Sequence, residues 1–239
     1  MADSAKTFPY VIAFGHRARS GKDEACRTIL RERHGKPVMV EDPSVVYNIK
    51  HYSFARALKQ EVTKMALGSG GMRNLFSDGL RIEGAGFAHS DGNSIVALPD
   101  WVQYDIDSTE TDPDCPLGKS RTFLQFWGVF RREEDADYWV KQVEAQITKD
   151  NPDVALISDC RFPNEMSWAK KHGDCVRVDR PSVKSPNAHI SEEALASVPD
   201  DQWAAVIKNT GSLEDFRNEV LFIFDMILSS VPVQRSASV

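Results

Sequence analysis

Val11-Ile12-Ala13-Phe14-Gly15-His16-Arg17-Ala18-Arg19-Ser20-Gly21-Lys22-Asp23 is the stretch of this 239-residue chain whose residue types do most chemistry together. An apolar run of the kind that forms a buried strand leads into a short loop ending Ser-Gly-Lys. An amphipathic segment follows, with Ala25, Cys26, Ile29 and Leu30 on one face. Strand, Gly-Lys loop and helix together make a cradle for phosphate. Loop amides and the positive end of the helix point at one spot, and Lys22 adds a full charge there. A nucleoside triphosphate is the ligand that such a cradle serves. His16 stands where the usual pattern has glycine, and Asp23 where it has serine or threonine. A plain strand–turn–helix junction with an exposed lysine is the alternative.

Further groups with chemistry lie downstream. Ala155-Leu156-Ile157-Ser158-Asp159 is an apolar strand ending in a carboxylate, with Arg161 two residues on and Phe162-Pro163-Asn164-Glu165 after it. An acid at the carboxyl end of a central strand can face phosphates and their magnesium; a surface turn with an Asp–Arg pair is the other reading. In Ser120–Gly128, Arg121 and Gln125 sit one helical turn apart. Arginine suits bidentate contact with phosphate and glutamine can read a base edge, although a solvated helix surface explains both equally. Trp139 serves as core packing or as a stacking face for a base. From Arg180 the chain is polar to Ser191 and includes Lys184 and His189, as in a lid or an ordinary loop. Asn209-Thr210-Gly211 is a turn that either faces an adenine or only redirects the chain.

The elements that must position these groups follow from periodicity. Strands are predicted over Tyr10–Phe14, Lys50–Phe54, Val154–Ser158 and Cys175–Asp179, with a weaker one over Ala205–Lys208. Val154–Ile157 is apolar throughout, as in a central parallel strand covered on both faces. Helices are predicted from Lys22 onward and over Arg56–Leu67, Ser120–Phe130, Asp137–Lys149, Pro163–His172 and Ser212–Leu228. Pro163 sits where a helix tolerates proline, and Ser212 with Asp215 reads as a cap. Alternating strands and helices imply an α/β doubly wound fold. Residues 68–118 break the alternation. They read as an insertion near the substrate site or as a surface excursion, and the tail 231–239 reads as disordered.

Composition narrows the classes. A 41% hydrophobic and 27% charged chain is ordinary for a globular protein. A net charge of −6 speaks against a general nucleic-acid binder but allows a local basic pocket, for which Arg17, Arg19, Lys22, Arg121, Arg131, Arg132 and Arg161 are candidates. Cys26, Cys115, Cys160 and Cys175 form no Cys-x-x-Cys pair, so reduced core cysteines of a cytoplasmic protein are expected. No apolar run reaches membrane-span length, and Met1–Thr7 does not read as a signal peptide.

Taken in order, these segments resemble the deoxynucleoside monophosphate kinases of tailed bacteriophages. Ala18–Asp23 resembles that family's Ala-Arg-Ser-Gly-Lys-Asp loop, including the acid after lysine. Tyr52–Lys59 is similar to its Phe-Ala-Asp-Pro-Leu-Lys segment, with Arg56 and Ala57 departing and Lys59 kept. Arg121–Gly128 is similar to its Arg-x-x-Leu-Gln-x-x-Gly helix, but Val129 and Phe130 replace the Thr-Glu that usually follows. Asp137-Tyr138-Trp139 and Ser158–Glu165 match, and His189–Glu192 and Asn209–Gly211 match more loosely.

The resemblance implies a single P-loop kinase domain over 1–239, an α/β fold with a parallel sheet flanked by helices. It adds a substrate-covering insertion at 68–118 and a lid-like segment at 180–196. It implies ATP and magnesium as cofactors, a small-molecule deoxynucleoside monophosphate as partner, and work in the cytoplasm of an infected host without nucleic acid or membrane. Oligomeric state is open, a homodimer included. The expected ATP-side residues are His16, Ala18, Arg19, Ser20, Gly21, Lys22, Asp23, Glu24 and Asn209. On the substrate side stand Lys59, Arg121, Gln125, Gly128, Trp139, Asp159, Arg161 and Glu165. Lys22, Asp159 and Arg161 are the catalytic candidates, Asp23 and Asp159 the metal ligands, and Arg180 and Lys184 the lid cations.

Overall fold

The computed structural model describes residues 8–36, 46–68, 86–88, 95–97, 121–182 and 194–230, with backbone alone for 63–68, 86–88, 95–97 and 121–122. The chain divides into two compact units, Met1–Phe54 with Val140–Val239, and Ala55–Trp139. The strands are β1 (Tyr10–Gly15), β2 (Ile49–Tyr52), β3 (Gly86–Ala88), β4 (Ile95–Ala97), β5 (Val154–Cys160), β6 (Gly173–Asp179) and β7 (Ala205–Lys208). The helices are α1 (Lys22–Arg33), α2 (Phe54–Gly68), α3 (Arg121–Glu134), α4 (Tyr138–Asp150), α5 (Pro163–His172) and α6 (Leu213–Ser229).

The first unit is built on a five-stranded sheet of order β2-β5-β1-β6-β7, parallel throughout. This is the α/β architecture expected from the alternation. β1 lies in the middle because its residues Val11–Phe14 are apolar on both faces, and all of them are buried. On one face Ile12 and Phe14 join Leu156, Val176 and Val178 under α1 and α6, which supply Ala25, Cys26, Ile29, Phe216, Val220 and Phe224. Each fully buried side chain of this size contributes about 2 kcal/mol. The alternate residues of the strands face the other way, where α5 packs against β1 and β6.

Local signals hold at the helix ends. Ser212 Oγ accepts from the Asp215 amide at 3.1 Å, and Asp215 Oδ2 accepts from the Ser212 amide at 3.0 Å, a reciprocal cap for α6. Cys26, Cys160 and Cys175 are free and buried. Several element boundaries differ from expectation by one to four residues. β2 stops at Tyr52 and α2 begins at Phe54, α3 runs on to Glu134, and an antiparallel pair, β3 with β4, lies within the 68–118 stretch. The remainder of that stretch, residues 183–193 of the lid-like segment and the tail 231–239 lie outside the described residues. Among the described residues no helix is long and apolar enough to cross a membrane.

β6 opens beside β1 through Gly173, paired with Val11. A Cβ at Gly173 would lie 2.0 Å from the Val11 carbonyl oxygen, a backbone atom with nowhere to go. Gly173→Ala should therefore cost about 2–3 kcal/mol by pushing β6 off the central strand. Urea denaturation measures it, and an unchanged midpoint would contradict the packing.

Candidate active site

Because all five strands of the sheet run parallel, their carboxyl ends share one edge, where α/β proteins bind ligands. The loops leaving that edge carry His16–Lys22 after β1, Ser53 after β2, Arg161 after β5, Arg180 after β6 and Asn209 after β7. The loop after β1 is tightly wound: His16, Arg19 and Gly21 have φ of 90°, 58° and 117°. For His16 and Arg19 that backbone region is unfavourable, at about 1–3 kcal/mol each. Lys22 opens α1 and is only 4% exposed. Its ammonium donates to the Arg17 carbonyl and, at 3.2 Å, to Ser20 Oγ. The lysine is thus enclosed by its own loop rather than pointing into solvent.

Asp159, the last residue but one of the neighbouring strand, ties two elements together. Its Oδ2 accepts from Ser53 Oγ and its Oδ1 from the Phe54 amide, both at 2.9 Å. That carboxylate satisfies a free amide of the first turn of α2, which is why β2 ends and α2 begins earlier than periodicity suggested. Asp23, exposed in the first turn of α1, and Asp159 both act on Cys26. Burial first, then these two negative charges, push its thiol well up from the ordinary value. Both acids thus lie within electrostatic reach of the Cys26 thiol in α1. Arg161 is half-buried, and its amide and that of Phe162 donate to Glu165 Oε2 at 2.8 and 3.1 Å. Glu165 is itself 1% exposed. It holds the turn that presents Arg161.

In the second unit, Glu61 is a residue that the sequence reading missed. Its Oε1 accepts from Trp127 Nε1 and Arg131 Nε, both at 2.9 Å, and its Oε2 accepts from Tyr138 Oη at 2.6 Å. Arg131 lies 4.7 Å from the Trp127 ring centre and 4.8 Å from that of Tyr138, and also bonds Glu134 at 3.0 Å. Burial, then the Glu61 bond, push the Tyr138 phenol up to about 12. Arg131, expected among the pocket cations, is instead the centre of this cage, because two carboxylates and two rings satisfy it. Lys59 and Gln125 are half-buried on α2 and α3. Gly128 gives its carbonyl to Trp139 Nε1 at 3.1 Å and to Arg132 at 3.1 Å.

Several of the expected site residues have partners within the protein. Trp139 is 2% exposed and donates its indole N–H to the Gly128 carbonyl at 3.1 Å. Glu24, expected on the ATP side, is taken by Arg217 at 2.6 and 2.8 Å and by Arg27 at 3.1 Å; these bonds, with burial opposing, hold its carboxyl below the ordinary range. It fastens α1 to α6. Asn209 turns its amide onto the loop after β1 through the Ser20 carbonyl at 2.8 Å. Ala18 is half-buried, and Arg19 and Arg180 are exposed. Arg121 opens α3, and Lys184 lies outside the described residues. No cluster of three or more His, Cys, Asp or Glu side chains suited to a metal occurs among the described residues.

Comparison with known proteins bears on the second half of the chain. Residues 121–220 match the family model for deoxynucleotide monophosphate kinase. That stretch runs from α3 to the middle of α6. A protein of Acanthamoeba polyphaga mimivirus, provisionally described as a deoxynucleotide monophosphate kinase, is 32% identical over 77 residues, covering 31% of this chain. The chain spans 39% of that relative's length. Among solved structures, TT1252 from Thermus thermophilus has a TM-score of 0.43 at 15% identity, over 92% of this chain and 99% of that one. Dephospho-CoA kinase from Campylobacter jejuni scores 0.39 at 13% identity, over 92% and 98%. A Janibacter sugar kinase scores 0.38 at 12% identity, over 94% and 98%.

His16 gives the site a pH signature. Burial first, then the positive charge of Arg177, lower its pKa to about 4 against the partial offset of Asp179. The unfolded chain takes up that proton near pH 6.5, the folded chain only near 4. This contribution to stability is therefore complete above about pH 6.5 and is lost progressively as pH falls toward 4. The difference in unfolding midpoint between His16→Gly and wild type should shift in favour of the variant as pH falls through that window, because glycine removes the titration. Parallel profiles would contradict a buried neutral His16.

Proposed function

We propose that this chain transfers the γ-phosphoryl group of ATP to a deoxynucleoside 5′-monophosphate, giving the diphosphate and ADP. The observation that carries this reading is the enclosed Lys22 ammonium in a loop between a central parallel strand and a helix start, the arrangement that phosphoryl transfer requires for holding a triphosphate. The match over residues 121–220 supports the acceptor class. Supply of DNA precursors during phage replication, in the cytoplasm of an infected bacterium, is the setting we infer from the resemblance and from a relative that is itself viral.

Phosphoryl transfer asks for alignment and charge neutralisation. The amides of Ala18 to Lys22 would line the β-phosphate and Lys22 would bridge β and γ. Arg161 and Arg121 would bind the acceptor phosphate, with Lys59, Gln125 and Gly128 on the acceptor side. The donor set fits magnesium, which needs only one or two protein carboxylates beside substrate phosphates. Asp23 and Asp159 would hold it, directly or through water, and it would offset charge on the triphosphate. Arg180 and Lys184 would help exclude water, so that ATP is not hydrolysed.

The test is ADP production from ATP with each deoxynucleoside and ribonucleoside monophosphate in turn. The expected outcome is turnover that depends on at least one deoxynucleoside monophosphate, well above ATP hydrolysis alone. Turnover with none of them, or only with a phosphorylated metabolite that carries no base, would overturn the reading.

A further inference from the structure

The loop after β1 is held from outside, and the outer contact decides which way one of its amides faces. Asn209 Nδ2 donates to the Ser20 carbonyl at 2.8 Å across 189 residues of sequence. In a trans peptide the carbonyl of one residue and the N–H of the next point in opposite directions. Fixing the Ser20 carbonyl toward Asn209 therefore fixes the Gly21 N–H on the opposite side of the chain, away from the Asn209 wall. We propose that Asn209 is a positioning residue: it holds the Ser20–Gly21 peptide plane so that the Gly21 amide presents to a bound polyphosphate, whatever base the nucleotide carries.

The surroundings are built for such a clamp. Asn209 is itself fixed, because its backbone N–H donates to the Asp179 carbonyl at 2.7 Å, joining the ends of β6 and β7. The same Asp179 presents its carboxylate 3.6 Å from His16 Nδ1, at the start of the loop. The Ser20 end of the loop is thus tied through Asn209 to the end of β6, and the Asp179 carboxylate lies near the His16 end. The wall also explains a residue requirement. A Cβ on Gly21 would lie 2.8 Å from Asn209 Nδ2 and 3.0 Å from the Phe216 ring, at a φ of +117° that side chains avoid. Glycine lets the clamp reach the backbone. This assignment differs from a contact between Asn209 and adenine, which the turn at 209–211 alone would equally suggest.

The inference rests on the ATP-binding reading, and the experiment separates the two. Asn209→Leu keeps the branched side-chain shape, adds no charge and leaves the Ser20 carbonyl without its donor. Binding of ATP, GTP and inorganic tripolyphosphate is measured by calorimetry on wild type and variant, with thermal melting as the check on fold. The expected result is a loss of about tenfold, as for one hydrogen bond, equal for all three ligands. Loss of ATP affinity with tripolyphosphate binding unchanged would make Asn209 a base contact and overturn the clamp. Unchanged affinity for every ligand would overturn it as well, with the nucleotide reading intact. A wild type that binds none of the three would bring down the nucleotide reading itself. Should Asn209→Leu not fold, Asn209→Ala takes its place; collapse of both would overturn the proposal, since the bond would then serve the whole unit rather than the loop.

Discussion

β1 has hydrogen-bonded neighbours on both edges, β5 on one and β6 on the other, and buried side chains on both faces. A strand so enclosed can be left only through its ends, and its carboxyl end delivers the chain into the His16–Gly21 loop. The amide and carbonyl groups of that loop must then be satisfied locally. The Lys22 ammonium, the Asn209 side chain and the Ala25 amide of α1 take the carbonyls of Arg17, Ser20 and Gly21. The unfavourable φ values at His16 and Arg19 persist because β1, Asp179 and Trp203, which lies against Gly15, leave the loop no easier path.

From that constraint the rest of the edge follows. β5 runs parallel beside β1, so its terminal acid arrives next to the loop, and Asp159 joins β5 to the beginning of α2 through Ser53 and the Phe54 amide. Glu165 holds the turn that carries Arg161, and Glu24 with Arg217 ties α1 to α6. In the second unit Glu61 does comparable work, gathering Trp127, Arg131 and Tyr138 around one carboxylate. These polar groups are satisfied by one another, and such networks fix geometry more than they add stability.

Much of this was legible in the sequence because it is local. The apolar runs of β1 and β5, the Gly-Lys loop, the Ser212–Asp215 cap and Pro163 at the start of α5 all follow from neighbours a few residues apart. What was missed depends on residues far apart in the chain. β2 ends early because a carboxylate 105 positions away takes the Phe54 amide. Trp139 and Arg131 read equally as site residues until Gly128 and Glu61 are found to hold them. Asn209 read either as a turn facing a base or as a plain turn, and its bond to Ser20, 189 positions away, had no local signal. Glu61 carried no local signal, since a glutamate on an amphipathic helix ordinarily faces solvent.

The central claim is that Lys22, enclosed by its loop, is the charge that phosphoryl transfer uses. Turnover of Lys22→Ala at saturating ATP and deoxynucleoside monophosphate, on protein whose melting and circular dichroism match wild type, tests it most directly. The account predicts a fall on the order of a hundredfold or more, as for loss of one transition-state charge donor. Turnover near that of wild type in a folded variant would contradict it.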